Sequence, residues 1–474
     1  MSVGLARVTI SAPQRRVDVA LPEHVPLAEL LPEVLRHAGE GLADDGEKHG
    51  GWVLRRTDGV PLAGTQGLFP QGVRDGEVLY LVPAHDSWPE LEYDDVVEAI
   101  AEGARRRGSV WSASATRTAT LVAAGALLAV ALIAILWAGP AWAGSAVAGL
   151  ALSLVLALAG ITASRAYGDA RAGAALGAYS MPFAFAGGAA LVATGDRVSV
   201  LAPLPWLGGS ELLVGSMALL LAAALGGIGV AGAVRLFTAG AFVGVFGSLA
   251  ALVTVVTDSA GAAAVLLSAL VGGIGVLPLL AIRFGKVPTP PVTLPTGSAA
   301  AEGFTRGPSL DAARERPDRA TVFAAVTRTE ELLAGMLLGH VLLAAGAFLV
   351  LAAAGTLSAR LLIAVSAAAL LLRSRLFVTL RQRVPLVVGG LIGVGALGVN
   401  LVRTGSPALL LAVTAGALVL AVITVVAGAT YSQRPPSPYL GRAADLLDTV
   451  VVVSVIPVAC AVVGLYDAVG NISF

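Results

Sequence analysis

Long apolar runs fill the chain from residue 117 to its end. The first run, residues 118–138, contains no charged side chain, and about 20 consecutive apolar residues cross the hydrocarbon core of a bilayer as a helix. Eleven such runs predict an all-α polytopic membrane domain over residues 117–474. The predicted spans cover residues 117–138, 141–163, 172–194, 211–233, 235–257, 260–282, 332–354, 357–372, 384–402, 406–430 and 446–468.

The first 84 residues follow a different pattern, in which apolar and polar side chains alternate. Alternation with a period of two predicts strands, and the order β-β-α-β-β predicts an α+β ubiquitin-like (β-grasp) domain over residues 1–84. The last strand is apolar enough to be central. The face of the predicted helix carries Leu27, Leu30, Leu31, Val34 and Leu35. The predicted strands lie near residues 8–10, 17–21, 52–54, 61–62 and 78–82.

A neck helix is predicted in residues 85–116, between the two parts. Its apolar stripe consists of Tyr93, Val96, Val97 and Ile100, which helical spacing places on one face. Acidic residues come early in the segment and arginines come late, as the helix dipole favours. A single apolar stripe on an otherwise charged helix predicts that the stripe packs against a partner.

Basic residues predict the orientation in the membrane. A basic cluster marks the cytoplasmic side of a span, and Trp111 suits the aromatic belt at the interface. The loops predicted to be cytoplasmic hold 16 arginines and lysines, whereas the outer loops hold three. We therefore expect an inner-membrane protein with a cytoplasmic N-terminus and an extracytoplasmic C-terminus. The cluster before the first span is formed by Arg105, Arg106 and Arg107.

A long cytoplasmic loop is expected at residues 283–331, between the sixth and seventh spans. It begins with a proline-rich stretch, which is extended and stiff, and it ends in a segment with helical periodicity. A passive connection needs only a few residues, so a loop of this length indicates a contact site. A disordered linker is the alternative.

Composition agrees with a membrane protein. The chain of 474 residues is 56% hydrophobic and 13% charged, whereas soluble domains carry about 25% charged residues. Its formal net charge is zero, which gives no electrostatic basis for binding nucleic acid. Cys460 is the only cysteine, so an intramolecular disulfide is excluded.

Glycine motifs inside the spans indicate helix packing. Gly227, Gly229 and Gly232 match the GxGxxG pattern, and Gly389 and Gly393 form a GxxxG pair. A dinucleotide fingerprint requires a strand before it and a helix after it in a soluble unit. These glycines lie in apolar runs, where small residues let helix backbones approach closely.

The sequence carries no motif for catalysis, cofactor binding or a metal ion. A phosphate-binding loop, an HExxH motif and a CxxC motif are all absent, and we expect a protein that is not an enzyme and has no cofactor. Glu211, Asp258 and Glu331 fall at span ends. His340 lies well inside the seventh span, where it is either a proton relay or a hydrogen-bond donor in packing.

The architecture resembles the EccD family, the integral membrane subunits of the mycobacterial ESX (type VII) secretion system. The resemblance lies in the strands around residues 8–10 and 78–81, the arginines at 105–107 and the pattern of eleven spans. It implies a non-enzymatic scaffold that pairs with a second copy and encloses a vestibule facing membrane lipid. It also implies a head that contacts the ATPase subunit EccC, and the further partners EccB and EccE.

Two other functions remain open from the residues alone. A small-molecule secondary transporter with a regulatory cytoplasmic head is compatible with eleven apolar spans, although coupled transport generally uses charged groups or broken helices near the midplane. A membrane enzyme acting on lipids would need clustered acids or histidines at one membrane face. The head itself is either a docking domain or a folding cap for the spans.

Overall fold

The chain divides into two compact units, Met1–Trp111 and Ser112–Phe474. The computed structural model describes residues 4–13, 15–39, 42, 46, 50–84, 111–196, 198–286, 319–433 and 437–466. The division falls a few residues before the boundary at 116 that hydropathy predicts, because the first long helix already begins at Ala113. Ser112 caps this helix, and its hydroxyl accepts the N–H of Ala115.

In the described part of the N-terminal unit, four strands form a mixed sheet that packs with a helix. The elements are β1 (Leu5–Ser11), β2 (Arg16–Pro22), α1 (Leu27–Ala38), β3 (Trp52–Arg55) and β4 (Val78–Pro83). Strand β1 pairs antiparallel with β2 and parallel with β4, and β4 pairs antiparallel with β3, so the order is β2-β1-β4-β3. The final strand is therefore interior, as its apolar composition predicts, and the predicted fold class is confirmed.

Alternating burial builds the core of this unit. In β1, Val8 and Ile10 are buried while their neighbours are more exposed. They pack in one cluster with Val34 of α1 and with Leu79 of β4. Trp52 closes the cluster and donates its indole N–H to the carbonyl of Leu42 at 2.7 Å. The helix and the sheet thus share one small core, as their apolar faces predict.

The predicted strand at residues 61–62 forms only an isolated bridge. Pro61 pairs with Arg55, and the N–H of Leu62 donates to the carbonyl of Leu54 at 2.8 Å. Proline has no N–H to donate to a ladder. The turn at Asp58 and Gly59 therefore returns the chain beside β3 without extending the sheet.

In the described part of the second unit, eleven helices are long and apolar enough to cross a membrane, which confirms the prediction of about eleven transmembrane helices. We number them span 1 to span 11 in chain order. The spans are Ala113–Ala141, Ser145–Arg165, Ala170–Val192, Gly209–Gly229, Val234–Val253, Ser259–Gly285, Arg319–Ala354, Leu357–Leu376, Leu380–Thr404, Pro407–Tyr431 and Pro438–Val463.

Span 7 is longer than hydropathy predicts. The expected limits are 332–354, but the helix begins at Arg319 and continues for 36 residues. At 1.5 Å per residue it measures about 54 Å, well beyond the roughly 30 Å of the hydrocarbon core. The amphipathic segment predicted at the end of the long loop is thus continuous with span 7. Residues 287–318 of that loop lie outside the described part.

Span 6 contains a short 3-10 turn. Its helix runs from Ser259 to Gly273, turns at Ile274–Val276 and continues as Leu277–Gly285. Pro278 follows the turn and has no N–H for the carbonyl of Ile274, which is instead bonded by the N–H of Leu277. Proline therefore accounts for the change in helix geometry.

The spans pack around several clusters of buried apolar side chains. The largest joins spans 5 to 9 with span 11, and its fully buried members include Leu267, Leu337, Phe348 and Leu362. Smaller clusters join spans 1 to 3 and spans 3 to 5. Span 10 differs from the rest, because none of its residues in Pro407–Tyr431 is buried.

Candidate functional site

Spans 2 and 3 cross closely, at glycines that lie outside the motifs predicted to pack. An added Cβ at Gly149 would lie 2.6 Å from the Cα of Gly187, and one at Gly160 would lie 2.8 Å from the backbone N of Gly177. Gly173 and Gly177 form a GxxxG motif in span 3, and this motif is the feature of the sequence that indicates the crossing. Backbones this close require small residues on both helices.

Gly187→Ala should destabilise the bundle, because the new methyl group would lie 2.5 Å from the backbone N of Leu150. Overpacking of this kind costs about 1–3 kcal/mol, measured as the free energy of unfolding of the full chain in detergent. Gly395→Ala is the control, since a Cβ at Gly395 meets no atom within 4 Å. Equal stability of the two variants would show that the crossing tolerates a methyl group.

Three of the glycines chosen from sequence also lie against other helices. An added Cβ at Gly229 would lie 2.6 Å from Ile161. One at Gly389 would lie 3.0 Å from Val341, and one at Gly393 would lie 2.8 Å from Ala367.

The other two glycines have looser surroundings. A Cβ at Gly227 would be 3.6 Å from the Cβ of Phe237, an ordinary contact. Gly232 lies after the end of span 4, and a Cβ there would meet no atom within 4 Å. Its φ of +103° is a conformation that glycine adopts readily. At Gly232 a turn, rather than helix packing, accounts for the glycine.

Ion pairs gather at one end of the bundle, where spans 1, 3, 5, 7, 9 and 11 begin. We call it the basic end. Arg381 of span 9 donates to Glu331 of span 7 at 2.9 Å, and Arg235 of span 5 lies 3.8 Å from the same carboxylate. Arg117 of span 1 pairs with Asp169, which caps span 3. These ion pairs connect helices that are far apart in the sequence.

The best-buried ion pair at the basic end joins span 8 to span 11. Arg373 Nε lies 3.6 Å from Asp448 Oδ2, and their side chains are 16% and 21% exposed. Arg373 also donates from Nη1 to the carbonyl of Val271 at 2.7 Å, directly before the 3-10 turn of span 6. The sequence predicts that the last span starts at residue 446, which puts Asp448 near the end of that span. In the structure the helix begins at Pro438, so Asp448 lies well inside the helix.

His340 is buried in span 7, with 1% of its surface exposed. Its ring lies 6.4 Å from that of Phe242, and its Nε2 has no hydrogen-bond partner in the described part of the chain. Among the described residues, no group of three or more histidine, cysteine, aspartate or glutamate side chains could hold a metal ion. His340 is thus placed in a packed apolar setting.

The predicted neck and its basic cluster lie outside the described residues, so Tyr93, Val96, Val97, Ile100, Arg105, Arg106 and Arg107 are not placed. Trp111 is described and is 68% exposed. In the described part of the second unit, many large apolar side chains are exposed on the spans. They lie on apolar helix faces and on the exposed span 10.

Comparison with known protein families identifies the family of this chain. Residues 116–472 match the EccD-like transmembrane domain. The chain belongs to the EccD family. Residues 5–81 match a second family, described as WXG100 protein secretion system (Wss), protein YukD. This protein is thus an EccD-family, multi-pass membrane protein with a YukD-like, ubiquitin-like N-terminal domain.

Individual relatives agree with the family assignment. The ESX-4 secretion system protein eccD4 of Mycobacterium tuberculosis is 35% identical over 98 residues, which is 21% of this chain and 21% of the relative, in each of two strains. The chain thus matches these curated EccD relatives over about a fifth of their length.

Two solved structures share the fold along nearly the whole chain. Protomer 1 of the ESX-3 core complex is similar with a TM-score of 0.56 and 19% identity, covering 98% of this chain and 100% of that one. A chain of the MycP5-free ESX-5 inner membrane complex, State II, has a TM-score of 0.54 and 18% identity, covering 90% and 99%. At these identities the likeness is one of fold.

Proposed function

We propose that this protein is a non-catalytic structural subunit of a type VII (ESX) secretion complex in the inner membrane. The observation that carries the proposal is the EccD family match over residues 116–472. A YukD-like domain at residues 5–81 adds to it, because YukD is itself described as a protein of the WXG100 secretion system. The scaffold role rests on this family membership.

The exposure of spans 1 and 10 supports pairing with a second copy of the chain. No residue of Pro407–Tyr431 is buried, and span 1 has one buried residue in its helix, Ile135. Small and apolar residues on such faces suit close contact between transmembrane helices. We infer a homodimer within a larger hetero-oligomer, in which the two copies enclose a vestibule that faces lipid.

The head is proposed to dock the cytoplasmic ATPase subunit EccC. The many arginines of the basic end support a cytoplasmic location for the head, since basic residues concentrate on the cytoplasmic side. Arg360 and Arg403 are the described basic residues at the opposite end of the bundle. Large apolar side chains exposed on the head include Leu5, Val60 and Phe69. EccB and EccE complete the proposed set of partners.

Native mass after gentle detergent extraction from the producing cell tests the proposal. We expect a megadalton-scale assembly that contains a P-loop ATPase together with this chain. An unrelated multi-pass protein carrying the same affinity tag is the control for accidental co-purification. Recovery of a lone monomer or dimer, without partners, would overturn the scaffold role.

A small-molecule secondary transporter with a regulatory head is the alternative function. One observation favours it: the Arg373–Asp448 pair lies beside the interrupted helix of span 6, and transporter sites combine charged groups with discontinuous helices. The same native-mass experiment separates the two functions, because a transporter acts without the ATPase assembly. Flux of a solute through purified chain that lacks partners would support this alternative.

A further inference from the structure

An apolar cavity of about 740 Å³ opens between spans 3 to 7, at the end of the bundle opposite the basic end. Its volume falls within the range of about 300–1,000 Å³ that is typical of small-molecule sites. The inner walls are mostly hydrophobic, although Ser216 also contributes to them. They are formed by Leu212, Val243, Leu266, Leu343, Gly346 and Ala347, among others.

The depth of the cavity matches one leaflet of a bilayer. Its lining on span 5 extends from Val243 to Thr254 and on span 6 from Asp258 to Leu266, which corresponds to about 12–16 Å at 1.5 Å per residue. Half of the hydrocarbon core is about 15 Å. The cavity is thus deep enough to extend from the membrane surface to about the midplane.

Extended acyl chains match the apolar walls and the depth of the cavity.

The outer mouth of the cavity is acidic. Glu211 is only 4% exposed, and its Oε2 accepts the N–H of Gly208 at 3.1 Å and the hydroxyl of Ser210 at 3.0 Å. Asp258 caps span 6, and its Oδ1 accepts the N–H of Gly261 at 2.7 Å.

Each carboxylate keeps a second oxygen for a ligand. Oε1 of Glu211 and Oδ2 of Asp258 accept no hydrogen bond from a described residue. Among the described residues that line the cavity, Glu211 and Asp258 are the charged ones, and both carry a carboxylate that can pair with a cation.

We propose that this cavity binds the acyl chains of a phospholipid whose headgroup carries a primary ammonium, such as phosphatidylethanolamine. The ammonium has three N–H donors and faces Glu211 and Asp258, while the chains lie against the apolar walls. An anionic headgroup is disfavoured by the two carboxylates. The site lies within one subunit and is independent of the secretion role.

Lipid binding can be measured by native mass spectrometry of the full chain in mild detergent. The protein is incubated with phosphatidylethanolamine or with phosphatidylglycerol of the same acyl composition. We expect one retained phosphatidylethanolamine and about tenfold weaker retention of phosphatidylglycerol, because the two carboxylates attract an ammonium group and repel an anionic headgroup. Equal retention of the two lipids by the unmodified chain would overturn the proposal.

Gly346→Leu tests whether the lipid occupies the cavity. Gly346 lines the cavity, and a Cβ at this position meets no atom within 4 Å, so the leucine has room to extend into the cavity. Phosphatidylethanolamine retention should fall about tenfold, since displaced methylenes lose their burial. Gly272→Leu is the control, because Gly272 is equally open but does not line the cavity. Unchanged retention in Gly346→Leu would refute the site.

A second variant addresses the headgroup and does not depend on the folding of Gly346→Leu. Glu211→Gln with Asp258→Asn keeps side chains of similar size that can still accept the hydrogen bonds of Gly208 and Gly261. We expect the preference for phosphatidylethanolamine to fall from about tenfold to near onefold, while one lipid remains bound, because charge and not shape sets the preference. A preference that persists in this variant would contradict the role of the carboxylates.

Discussion

Asp448→Asn is expected to lower the free energy of unfolding by about 3 kcal/mol, the lower end of the range for breaking a buried ion pair. The substitution keeps the shape of the side chain and removes its charge. It leaves Arg373, which is 16% exposed, without a carboxylate in a low-dielectric surrounding. The pair is not fully buried, which is why the lower end of the range applies. Reversible unfolding of the full chain in a detergent titration measures the loss.

Asp445→Asn is the matched control for Asp448→Asn. Asp445 lies on the same helix and pairs with Arg375 at 2.5 Å, but its side chain is 73% exposed. Exposed pairs contribute about 0–1 kcal/mol, so the control should lose less than about 1 kcal/mol. Similar losses from the two substitutions would show that the burial of Arg373 and Asp448 does not govern their contribution.

The hydrogen bond from Arg373 adds a reason for the large effect. Arg373 donates to the carbonyl of Val271 at 2.7 Å, and the 3-10 turn of span 6 follows three residues later. One guanidinium thus joins span 8, span 11 and the interrupted helix of span 6. Loss of its counter-ion is expected to loosen three helices together.

Deletion of residues 1–84 is expected to abolish recruitment of the ATPase subunit while the eleven spans remain inserted. The head has its own core of Val8, Ile10, Leu79 and their neighbours, and the spans carry their own clusters. Because each part buries its own apolar residues, the spans are expected to fold without the head. Co-purification of a P-loop ATPase with the deletion variant measures recruitment, and membrane fractionation measures insertion.

A replacement variant controls for the size of the deleted domain. An unrelated soluble domain of similar length in place of residues 1–84 should restore expression but not recruitment. If the deletion variant still retains the ATPase, the head is not the docking domain and acts as a folding cap. Recruitment by the replacement variant would lead to the same conclusion.

Much of the fold follows from local patterns in the sequence. The apolar run at residues 118–138 predicts span 1, and the alternation at residues 8–10 predicts β1, because each element depends on its own residues. The start of span 7 was placed 13 residues too late, since its first turns are amphipathic and carry Glu330 and Glu331. Hydropathy detects the part of a helix inside the membrane and not its extension beyond it.

The candidate site was less accessible from sequence. The GxxxG pattern predicts packing at Gly389 and Gly393, yet Gly149 and Gly187 on spans 2 and 3 form a close crossing that this pair does not indicate. The chain has 57 glycines, so matches to glycine motifs are frequent. The orientation of the helices decides which of these glycines lie against the backbone of another helix. The long separation between Arg373 and Asp448 concealed their pairing in the same way.

The sequence by itself determined the number of spans, the ubiquitin-like head and the family resemblance. In a bilayer each helix satisfies its backbone hydrogen bonds internally, so the length and hydropathy of one segment are enough to predict a span. Only the tertiary structure decided which faces meet, which charges pair and where the cavity opens beside Glu211. These features depend on shape and distance between segments far apart in the chain, because apolar helices gain little from hydrophobic burial against one another in lipid.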